Sequence, residues 1–511
     1  MIFKTDNKMI NLITLLVVVL LFATSCITDN EDPLEGSGDR INDQEETYVD
    51  ITNGEWILCA IENEHCYFVG KALVRYGTEN QYHYQTHEDG VECTIAVFGD
   101  PYIGRDKKCY YTAIEDMGIV VNGEGTRGDE TIDDNKGGIA EPGVRIDNVR
   151  YSGPVIIGQG GTYRGAWKST SPDIPAVTIR TDELVIIENS HTRSISAPHI
   201  KYDVGYTANL IVRNVTAIGI SPNTSGQYPG RFIHLDTYTS LKVSNSYLEQ
   251  TSGIYLHQST DGGIVNITRN IAKNIDGRRS DERGGYQGEH NVQFVQFDKG
   301  NNMIGTEVSW NKIVNEPYNS SVEDVISVVT TSGHSNDPIM IHNNYIRGAY
   351  PTDPLTDSYS GGGIKLGDGT LGNRYLHAFE NHIVSTSNYG IAMLGGAHNR
   401  IYNNRIISCG YINNPIDGSR AFIESQNVGM LIKNVHNNPS FEDNIGYNND
   451  IGWMNTTLTR NDWYVPDAAE WTDNRAIPGT PIPCNLEDKE YELWTAKIMD
   501  NNVWVGLLIN Q

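Results

Sequence analysis

Three stretches, IVNITRNIA (264–272), VSWNKI (308–313) and MIHNNYI (340–346), decide the fold of this chain, and they share one pattern. A short run alternates apolar and polar residues, bends at an asparagine and then resumes. Similar runs recur every 23 to 41 residues and place asparagine at Asn189, Asn214, Asn245, Asn270, Asn311, Asn344, Asn381, Asn404 and Asn444. This spacing is too irregular for a helical repeat but is typical of stacked coils of short strands joined by loops of variable length.

Asparagine suits the bend of such a coil because it tolerates left-handed backbone, and its amide can bond to the asparagine of the next coil. The pattern therefore predicts an all-β chain whose main body, residues 146–480, is a right-handed parallel β-helix. The alternative, an antiparallel sandwich, requires hairpin dipeptides between strands at a spacing of about 8–12 residues. The sequence does not show that spacing and favours the β-helix.

Length and charge limit the possible functions. The 511 residues suffice for one large solenoid and a smaller module, and the 51 glycines indicate a turn-rich β protein. The formal net charge of −26 argues against nucleic acid or an anionic membrane surface as the main partner. A local basic groove for an acidic substrate is still compatible with this charge.

Residues 1–26 have the features of an export signal. Two lysines precede an apolar segment, and small residues come immediately before Cys26. The segment resembles a bacterial lipoprotein signal, which implies acylation of Cys26 and anchoring at the outer membrane or cell surface. An ordinary secretory signal cleaved near Ser25 is the alternative. Residues 27–46 are acidic with few large apolar side chains, and we predict a disordered tether there.

The next segment, residues 47–113, carries four of the cysteines: Cys59, Cys66, Cys93 and Cys109. In an exported chain this favours two disulfides, and sequential pairing is preferred among the three connectivities because it closes short loops. The phrases WILCAIENEHC and ECTIAVFGDP resemble a small disulfide-bonded β module at the N-terminus of secreted bacterial polysaccharide-acting proteins. The aromatic residues of such a module either stack on sugar rings or form its small core.

The remaining segments are a Gly- and Asp-rich linker over 114–145 and a C-terminal cap over 481–511. A parallel solenoid exposes a strand edge at each end, so it needs caps; residues 146–180 are expected to supply the first. A helix is predicted for the second, with Asn485 as N-cap and one apolar face formed by Leu486, Leu493, Trp494 and Ile498. Whether Cys409 and Cys484 join this cap to the coils is left open.

The strands that open each coil carry a polar outward face. Alternation directs five apolar pairs inward: Ile233/Leu235, Ile254/Leu256, Val295/Phe297, Ile364/Leu366 and Ile391/Met393. The positions between them form an outward row of His234, Tyr255, Gln296, Ser327, Lys365 and Ala392. A second outward row contains Asp236, His257 and Asp298, with Gly367 further along. Titratable and aromatic side chains in such rows indicate a binding or catalytic face.

Two long loops, 276–290 and 347–363, interrupt the repeat just before two of these strands. Loops on one side of a solenoid commonly build its binding cleft. An exposed, salt-linked loop without function is the alternative for the charged first loop. The predicted substrate-binding residues are His234, Tyr255, His257, Gln296, Arg278, Arg279 and Lys365.

The asparagine ladder, the coil length and the export signal together resemble the exported right-handed parallel β-helix (pectin-lyase-like) proteins, most of which cleave polysaccharides. The resemblance covers about residues 146–480. The polygalacturonase-type motifs Asn-Thr-Asp, Asp-Asp, Gly-His-Gly and Arg-Ile-Lys are missing from the helix face. A clustered run of aspartates like the calcium site of pectate-type lyases is missing as well. The resemblance therefore implies an architecture more closely than a reaction.

A glycoside hydrolase requires two carboxyl groups, about 5–5.5 Å apart for retention or about 6.5–9.5 Å for inversion. Asp236 and Asp298 are expected two coils apart in one row, roughly 9–10 Å, which is the upper edge of the inverting range. Glu323 or Asp324 is expected to approach Asp298 at the retaining distance instead. We predict these four carboxylates as catalytic candidates.

Two other functions stay open. A lyase acting on a uronate polymer would use Lys365, Arg278 and Arg279 as its base and cations. A non-catalytic surface protein would bind glycan with the same rows. No cofactor and no metal are predicted, because the 14 histidines show no paired ligand spacing. The expected partners are a polysaccharide or oligosaccharide and, through Cys26, a membrane.

Overall fold

The computed structural model describes residues 57–66, 71–78, 81–88, 90–102, 104–113, 138–140, 149–358, 361–369, 372–414 and 418–508. The predicted signal, the lipidation site Cys26 and the predicted tether lie outside the described residues, as does most of the predicted linker. These expectations therefore stay predictions. No helix among the described residues is long and apolar enough to cross a membrane.

A four-stranded antiparallel sheet, two short strands and one helical turn form the N-terminal module. The elements are β1 Ile57–Ile61, β2 His65–Cys66, β3 Lys71–Thr78, β4 Gln81–Glu88, β5 Val91–Glu92, α1 Ile95–Phe98 and β6 Lys108–Ala113. The disulfides Cys59–Cys66 and Cys93–Cys109 confirm the predicted sequential pairing. Tyr76 is fully buried and stacks on Phe98 at 5.3 Å, so this tyrosine belongs to the core of the module.

One parallel sheet of 29 strands forms the main body, which confirms the predicted all-β chain and is consistent with a parallel β-helix. Strands of successive coils pair in three columns. The first column holds β8 Val155–Ile157, β11 Val177–Ile179, β13 Ile200–Tyr202, β15 Ile233–Ser244, β17 Ile254–Thr268, β21 Val295–Asp298, β24 Asp324–Val329, β27 Gly362–Asp368, β30 Tyr389–Met393, β35 Val428–Ile432 and β38 Trp463–Tyr464.

The other two columns follow the first along each coil, and the long strands β15 and β17 bend from the first column into the second. The second column adds β9 Gly161–Tyr163, β12 Val185–Ser194, β14 Ala208–Gly219, β22 Glu307–Ser309, β25 Ile339–His342, β28 Leu376–Phe379, β31 Arg400–Tyr402, β36 Ile445–Tyr447 and β39 Glu470–Thr472. The third adds β10 Ala166–Ser169, β16 Tyr247–Glu249, β18 Ile271–Lys273, β23 Lys312–Val314, β26 Tyr345–Ala349, β29 His382–Thr386, β32 Arg405–Ser408, β37 Asp450–Trp453 and β40 Arg475–Ala476.

A single apolar core runs through the coils. All ten residues predicted to point inward from the first column have no exposed surface. The alternation argument holds here because a strand directs successive side chains to opposite faces, and only one face of each strand can reach the core. Two small antiparallel pairs lie outside the stack: β19 Arg278–Ser280 with β20 Tyr286–Glu289, and β33 Tyr411–Asn413 with β34 Arg420–Phe422.

The structure contains an asparagine ladder, but its first three predicted members lie at the bend of the coil rather than in the interior. Asn189, Asn214 and Asn245 have φ near +50° and form the bend itself. The inner ladder begins one residue further along, and its buried rungs are Asn270, Asn311, Asn344, Asn381, Asn404 and Asn449, followed by Asn474. In these later coils another residue takes the left-handed bend, so the asparagine that follows points inward.

The last predicted rung, Asn444, belongs to a second and shorter ladder. Its Oδ1 accepts the backbone N–H of Asn399, and Asn399 Oδ1 in turn accepts the N–H of Leu376. The inner ladder continues instead from Asn404 to Asn449, whose Oδ1 accepts Asn404 Nδ2 at 2.9 Å. The error arose because both bends of a coil use asparagine, so a pattern of runs alone cannot assign a residue to one of them.

The C-terminal helix α2 spans Asn485–Asp500, and Cys484 rather than Asn485 is its N-cap. Trp494 and Ile498 are buried as predicted, whereas Leu493 is 47% exposed. The buried face is rotated because the helix packs on a charged flank, where Glu490 bonds to His382 and Arg405. The contacts lie along β29 and β32, and the role of α2 as an end cap stays a prediction.

Two further links tie the C-terminal segment to the rest of the body. A disulfide joins Cys409 to Cys484, which settles the link that the sequence left open. After the helix, β41 Trp504–Gly506 pairs in parallel with β7 Gly138–Ala140.

Candidate functional site

The register of the first column aligns the two outward rows as the sequence predicts. His234 lies opposite Tyr255, Tyr255 opposite Gln296, and Gln296 opposite Ser327; the series continues to Lys365 and Ala392. We call this series, with Lys201 before it and Leu431 and Tyr464 after it, the central row. Alternation along short strands was sufficient to find the row because each position repeats once in every coil.

A second series, the carboxylate row, contains Asp236, His257, Asp298, Val329 and Asp368. Asp236 and Asp298 therefore lie two coils apart on the same face, which retains the predicted geometry of roughly 9–10 Å. Asp298 and Asp368 are also two coils apart. The row thus offers the same spacing twice, with Asp298 common to both pairs.

Asp298 lies at the centre of a compact polar cluster. His257 Nδ1 is 2.9 Å from Asp298 Oδ2, and the Tyr255 hydroxyl donates to the same oxygen at 3.3 Å. Burial, and next the charge of Asp298, raise the pKa of Tyr255. Lys299 Nζ lies 3.5 Å from His257 Nε2 on the other side of the ring. The Asp298 side chain is 19% exposed, so the cluster is held by the protein yet open to a ligand.

Asp236 has a looser environment. His234 Nε2 is 3.1 Å from Asp236 Oδ1, and Lys201 Nζ is 4.0 Å from the other oxygen. Burial lowers the pKa of His234 although Asp236 opposes this shift. The Asp236 side chain is 48% exposed, so it is more accessible than the Asp298 side chain at 19%.

Lys365 bridges two carboxylates, the buried Asp324 on the neighbouring strand β24 and the partly exposed Asp368 on its own strand β27. Its Nζ lies 2.8 Å from Asp324 and 3.1 Å from Asp368, and His436 Nε2 is 2.8 Å from the other oxygen of Asp368. Burial lowers the pKa of Lys365, but the charges of Asp324 and Glu323 outweigh burial and raise it. Burial likewise raises the pKa of Asp368, yet Lys365 and His436 hold it below its ordinary value.

The register does not support the predicted retaining arrangement. Asp298 pairs with Val329, which lies five residues after Asp324 on the same strand. At 3.2–3.4 Å per residue the Cα atoms of Asp324 and Val329 are about 16 Å apart along an extended strand, so the register does not put Asp324 opposite Asp298. Asp324 is 1% exposed and instead bonds to Lys365 and to the Tyr389 hydroxyl. Sequence position placed it near the next coil but could not give the register within that coil.

Glu323 lies at the same end of the strand as Asp324 and accepts two amide hydrogen bonds. Gln293 Nε2 donates at 2.8 Å and Asn291 Nδ2 at 3.1 Å. Burial and the neighbouring Asp324 raise the pKa of Glu323. The charge of Asp368 acts on Glu323 in the same direction, so Glu323 is coupled to the Asp368 end of the carboxylate row.

The two long loops meet at the amino-terminal ends of the first-column strands. Glu289 accepts hydrogen bonds from the backbone N–H and hydroxyl of Thr352, at 3.1 and 3.0 Å, which joins the loop 276–290 to the loop 347–363. The carboxylate row lies at the opposite ends of these strands. The loops therefore border the site at one edge only, rather than walling both sides.

The two arginines of the first loop have structural contacts. Arg278 is 4% exposed, forms a bidentate ion pair with Asp276 and stacks on Tyr286, so its candidacy as a substrate contact is not supported. Arg279 donates to backbone oxygens of Glu289 and Gly226 while lying over the Tyr228 ring. The charge run in the sequence was thus mainly an internally bonded loop, the alternative left open above.

Several residues of the site were not predicted from the sequence: Lys201, Lys299 and His436, described above, and also Asp368 and Arg231. Asp368 enters the carboxylate row because Gly367, with φ +68°, forms a bulge that shifts the register by one residue. Strict alternation had assigned that position to Gly367. Arg231 is 8% exposed; it donates to Ser252 O at 2.7 Å and lies 5.5 Å from the centre of the Tyr255 ring. Its position before the strand gave no signal.

Two surface cavities, of about 590 and 470 Å³, lie away from these rows, near Asn449 and near the disulfide of Cys484. Among the residues that the structure describes, no group of three or more His, Cys, Asp or Glu side chains could hold a metal ion. Comparison of the chain with protein-family models, with curated proteins and with solved structures found no match. The candidate function therefore depends on the geometry alone.

Proposed function

We propose that the protein is a polysaccharide-degrading glycoside hydrolase of the inverting type whose site is the carboxylate row. One observation carries the proposal: Asp298 has a second aspartate two coils away on each side, in one outward row. The separation of roughly 9–10 Å is at the upper edge of the range that leaves room for a water beside the sugar. The substrate would lie across the strands, with Tyr255 and Gln296 of the central row beneath it.

The roles follow from the charges around each carboxylate. Asp368 is kept ionised by Lys365 and His436, which suits a general base that activates water. Asp298 would supply the other carboxyl group of the pair, with Tyr255 and His257 holding its orientation. Asp236, the more exposed partner, is the alternative base. Substituting each aspartate in turn distinguishes these two pairs.

The lyase alternative loses its proposed base. Lys365 lies between two carboxylates that raise its pKa, so it stays protonated and cannot remove a proton from a sugar. Glycan binding without catalysis is the second alternative. It uses the same rows and differs only in that no bond of the glycan is broken.

The test measures release of new reducing ends from a panel of polysaccharides, with ultraviolet absorbance recorded in parallel for the unsaturated product of a lyase. Asp298→Asn should lower turnover by about 10²–10⁴ while affinity stays within a few-fold, because loss of a general acid or base affects mainly the chemical step. Asp261→Asn, an exposed aspartate outside the rows, is the matched control.

The product configuration gives a second readout, since proton NMR should show an inverted anomer. A retained anomer would contradict the pairing of Asp298 with either aspartate. Ultraviolet absorbance from an unsaturated product would indicate a lyase. Wild-type binding without any cleavage across the panel would indicate a binding protein.

The proposal also includes the location and the finer architecture. We infer an exported protein, anchored in the outer membrane or at the cell surface through Cys26, because the sequence before that residue resembles a lipoprotein signal. Mass spectrometry of the mature N-terminus tests this, since an acylated cysteine is expected there. We further infer right-handed coils, because parallel crossover connections are right-handed in nearly all proteins, with α2 as a cap. An experimental structure checks both points.

A further inference from the structure

The outer face of the sheet changes character beyond Lys365. The central row continues through Ala392, Leu431 and Tyr464, which pair in register. Around them lies an apolar cluster on the outer face, separate from the core, in which Tyr389, Ala392 and Val428 are buried and Leu394 and Leu431 are partly exposed. An outward strand face of this kind would ordinarily be polar.

Part of this face is exposed. Tyr464 is 51% exposed, and the partly exposed Leu431 and Leu394 lie between it and Lys365 in the two outward rows. We call these three residues the distal strip. Lys433 Nζ lies 5.8 Å from the centre of the Tyr464 ring, so a hydrogen-bond donor borders the apolar surface.

This combination matches the chemistry of a sugar ring. A pyranose presents C–H groups on its faces and hydroxyl groups at its edge, so an exposed aromatic ring beside an amino group can contact both. The position of the distal strip relative to the candidate site indicates which ligand would bind there. The distal strip lies in the same rows as Asp298, and five coil steps separate Gln296 of the Asp298 strand from Tyr464, about 24 Å.

We propose that the distal strip is a remote subsite that binds sugar residues of a long glycan chain while the chain is cut beside Asp298. The inference rests on the proposed function and adds a substrate class to it: extended chains, cut within their length, rather than disaccharides or chain ends. A sugar bound at Tyr464 contributes affinity only when the chain spans both places, so the contribution must depend on chain length.

The experiment uses the full chain carrying Asp298→Asn, so that binding is measured without cleavage. The probe is a glycan array with neutral, uronate and sulfated chains of two to ten sugars. Tyr464→Ala should weaken binding of chains of eight or more sugars by about tenfold, a loss typical of one half-buried aromatic contact. Binding of chains of four sugars or fewer should change less than about twofold.

Two control variants separate the ring from its surroundings. Tyr464→Phe keeps the ring and should retain the affinity for long chains. Leu493→Ala removes a side chain of similar exposure, 47%, on α2 and should have no effect at any length. A melting curve of each variant confirms that the fold is intact.

Each other outcome overturns the inference. Equal loss for short and long chains would place Tyr464 in the main site or show general destabilisation. No loss at any length would make Tyr464 an ordinary exposed tyrosine while leaving the proposed hydrolase intact. A dimer that Tyr464→Ala converts to a monomer would assign the strip to a second copy of the chain. If the array shows no glycan bound, the inference and the proposed function fall together.

Discussion

The inner asparagine ladder and the outer rows share one coil period but use it in opposite ways. In the ladder the same residue makes the same bonds in every coil: Asn311 Nδ2 donates to Asn344 Oδ1 at 2.9 Å, and Asn344 repeats this with Asn381 at 2.9 Å. In the outer rows each coil carries a different residue. The difference teaches that repetition marks the scaffold, whereas the positions where repetition stops mark the candidate site.

The two regions also differ in how their polar groups are satisfied. The ladder amides are buried and paired with their neighbours, so no net charge enters the interior. The outer face instead buries charges, with Asp324 at 1% and Lys365 at 7% exposed, and each depends on its partner. Buried ion pairs add little net stability but are costly to break. We therefore expect the outer face to be the more sensitive of the two regions to single substitutions.

The largest stability effect is expected from Lys365→Met. The substitution leaves Asp324 buried without its cation, which costs about 3–5 kcal/mol of unfolding free energy. Urea unfolding of both proteins measures the loss. Lys433→Met, on the exposed rim, is the control and should change stability by less than about 0.5 kcal/mol.

A double variant sharpens this prediction. Asp324→Asn added to Lys365→Met should recover more than half of the loss, because the uncompensated buried charge is gone. A loss of less than about 1 kcal/mol in the single variant would mean that the ion pair contributes little and that the outer face resembles a plain solvated surface.

A smaller effect is expected from Asn311→Leu in the ladder. Asn311 Nδ2 donates to Ile267 O at 2.8 Å and to Asn344 Oδ1, and its own Oδ1 accepts from Asn270 N and Nδ2. Losing these four bonds, at the lower end of about 0.5–1.5 kcal/mol each, should lower the unfolding free energy by about 2–3 kcal/mol. Turnover of the folded variant should stay unchanged, because the ladder lies on another side of the coil from the carboxylate row.

The control for the ladder is Asn427→Leu, whose exposed amide bonds to Asn388 at 3.2 Å. It should cost less than about 0.5 kcal/mol in the same urea experiment. Equal costs for the two variants would show that burial in the ladder has no special value, and the contrast between ladder and outer face would lose its basis.

The smallest expected effect is a pH dependence at the flank of the coils. Burial raises the pKa of Glu487 to about 7, although the Cys409 N–H, which donates to it at 2.8 Å, opposes this. The folded state then holds a proton that the unfolded state releases between about pH 4.5 and 7. Stability from this group is therefore present below that window and is lost as pH rises through it, by at most about 3 kcal/mol.

Glu487→Gln tests the sign of this dependence. The amide keeps the acceptor for the Cys409 N–H but cannot ionise. In urea unfolding, the unfolding free energy of the variant relative to that of the wild type should therefore rise between pH 5 and pH 8. The ladder variant Asn311→Leu carries no titratable change, and its loss should be the same at both pH values. If the difference in unfolding free energy between Glu487→Gln and the wild type is the same at both pH values, Glu487 is not a buried, protonated carboxyl.

The sequence by itself determined the features that depend on a local period. Alternation placed Ile254 and Leu256 in the core and Tyr255 between them on the outer face, because a strand has only two faces. Two disulfides followed from cysteines close enough in the chain to close short loops. Cleavage of a polysaccharide, the anchor at Cys26 and the hand of the coils stay predictions.

Only the tertiary structure decided the features that depend on register between coils. The bulge at Gly367 moves Asp368 into line with Asp298, and the pairing of Asp298 with Val329 puts Asp324 five residues earlier along the neighbouring strand. Which asparagine turns inward was likewise settled by the residue that takes the left-handed bend, Asn245 in one coil and Arg269 in the next. A shift of one residue changes which face a side chain occupies, and loops of variable length leave that shift unspecified until the coils are stacked.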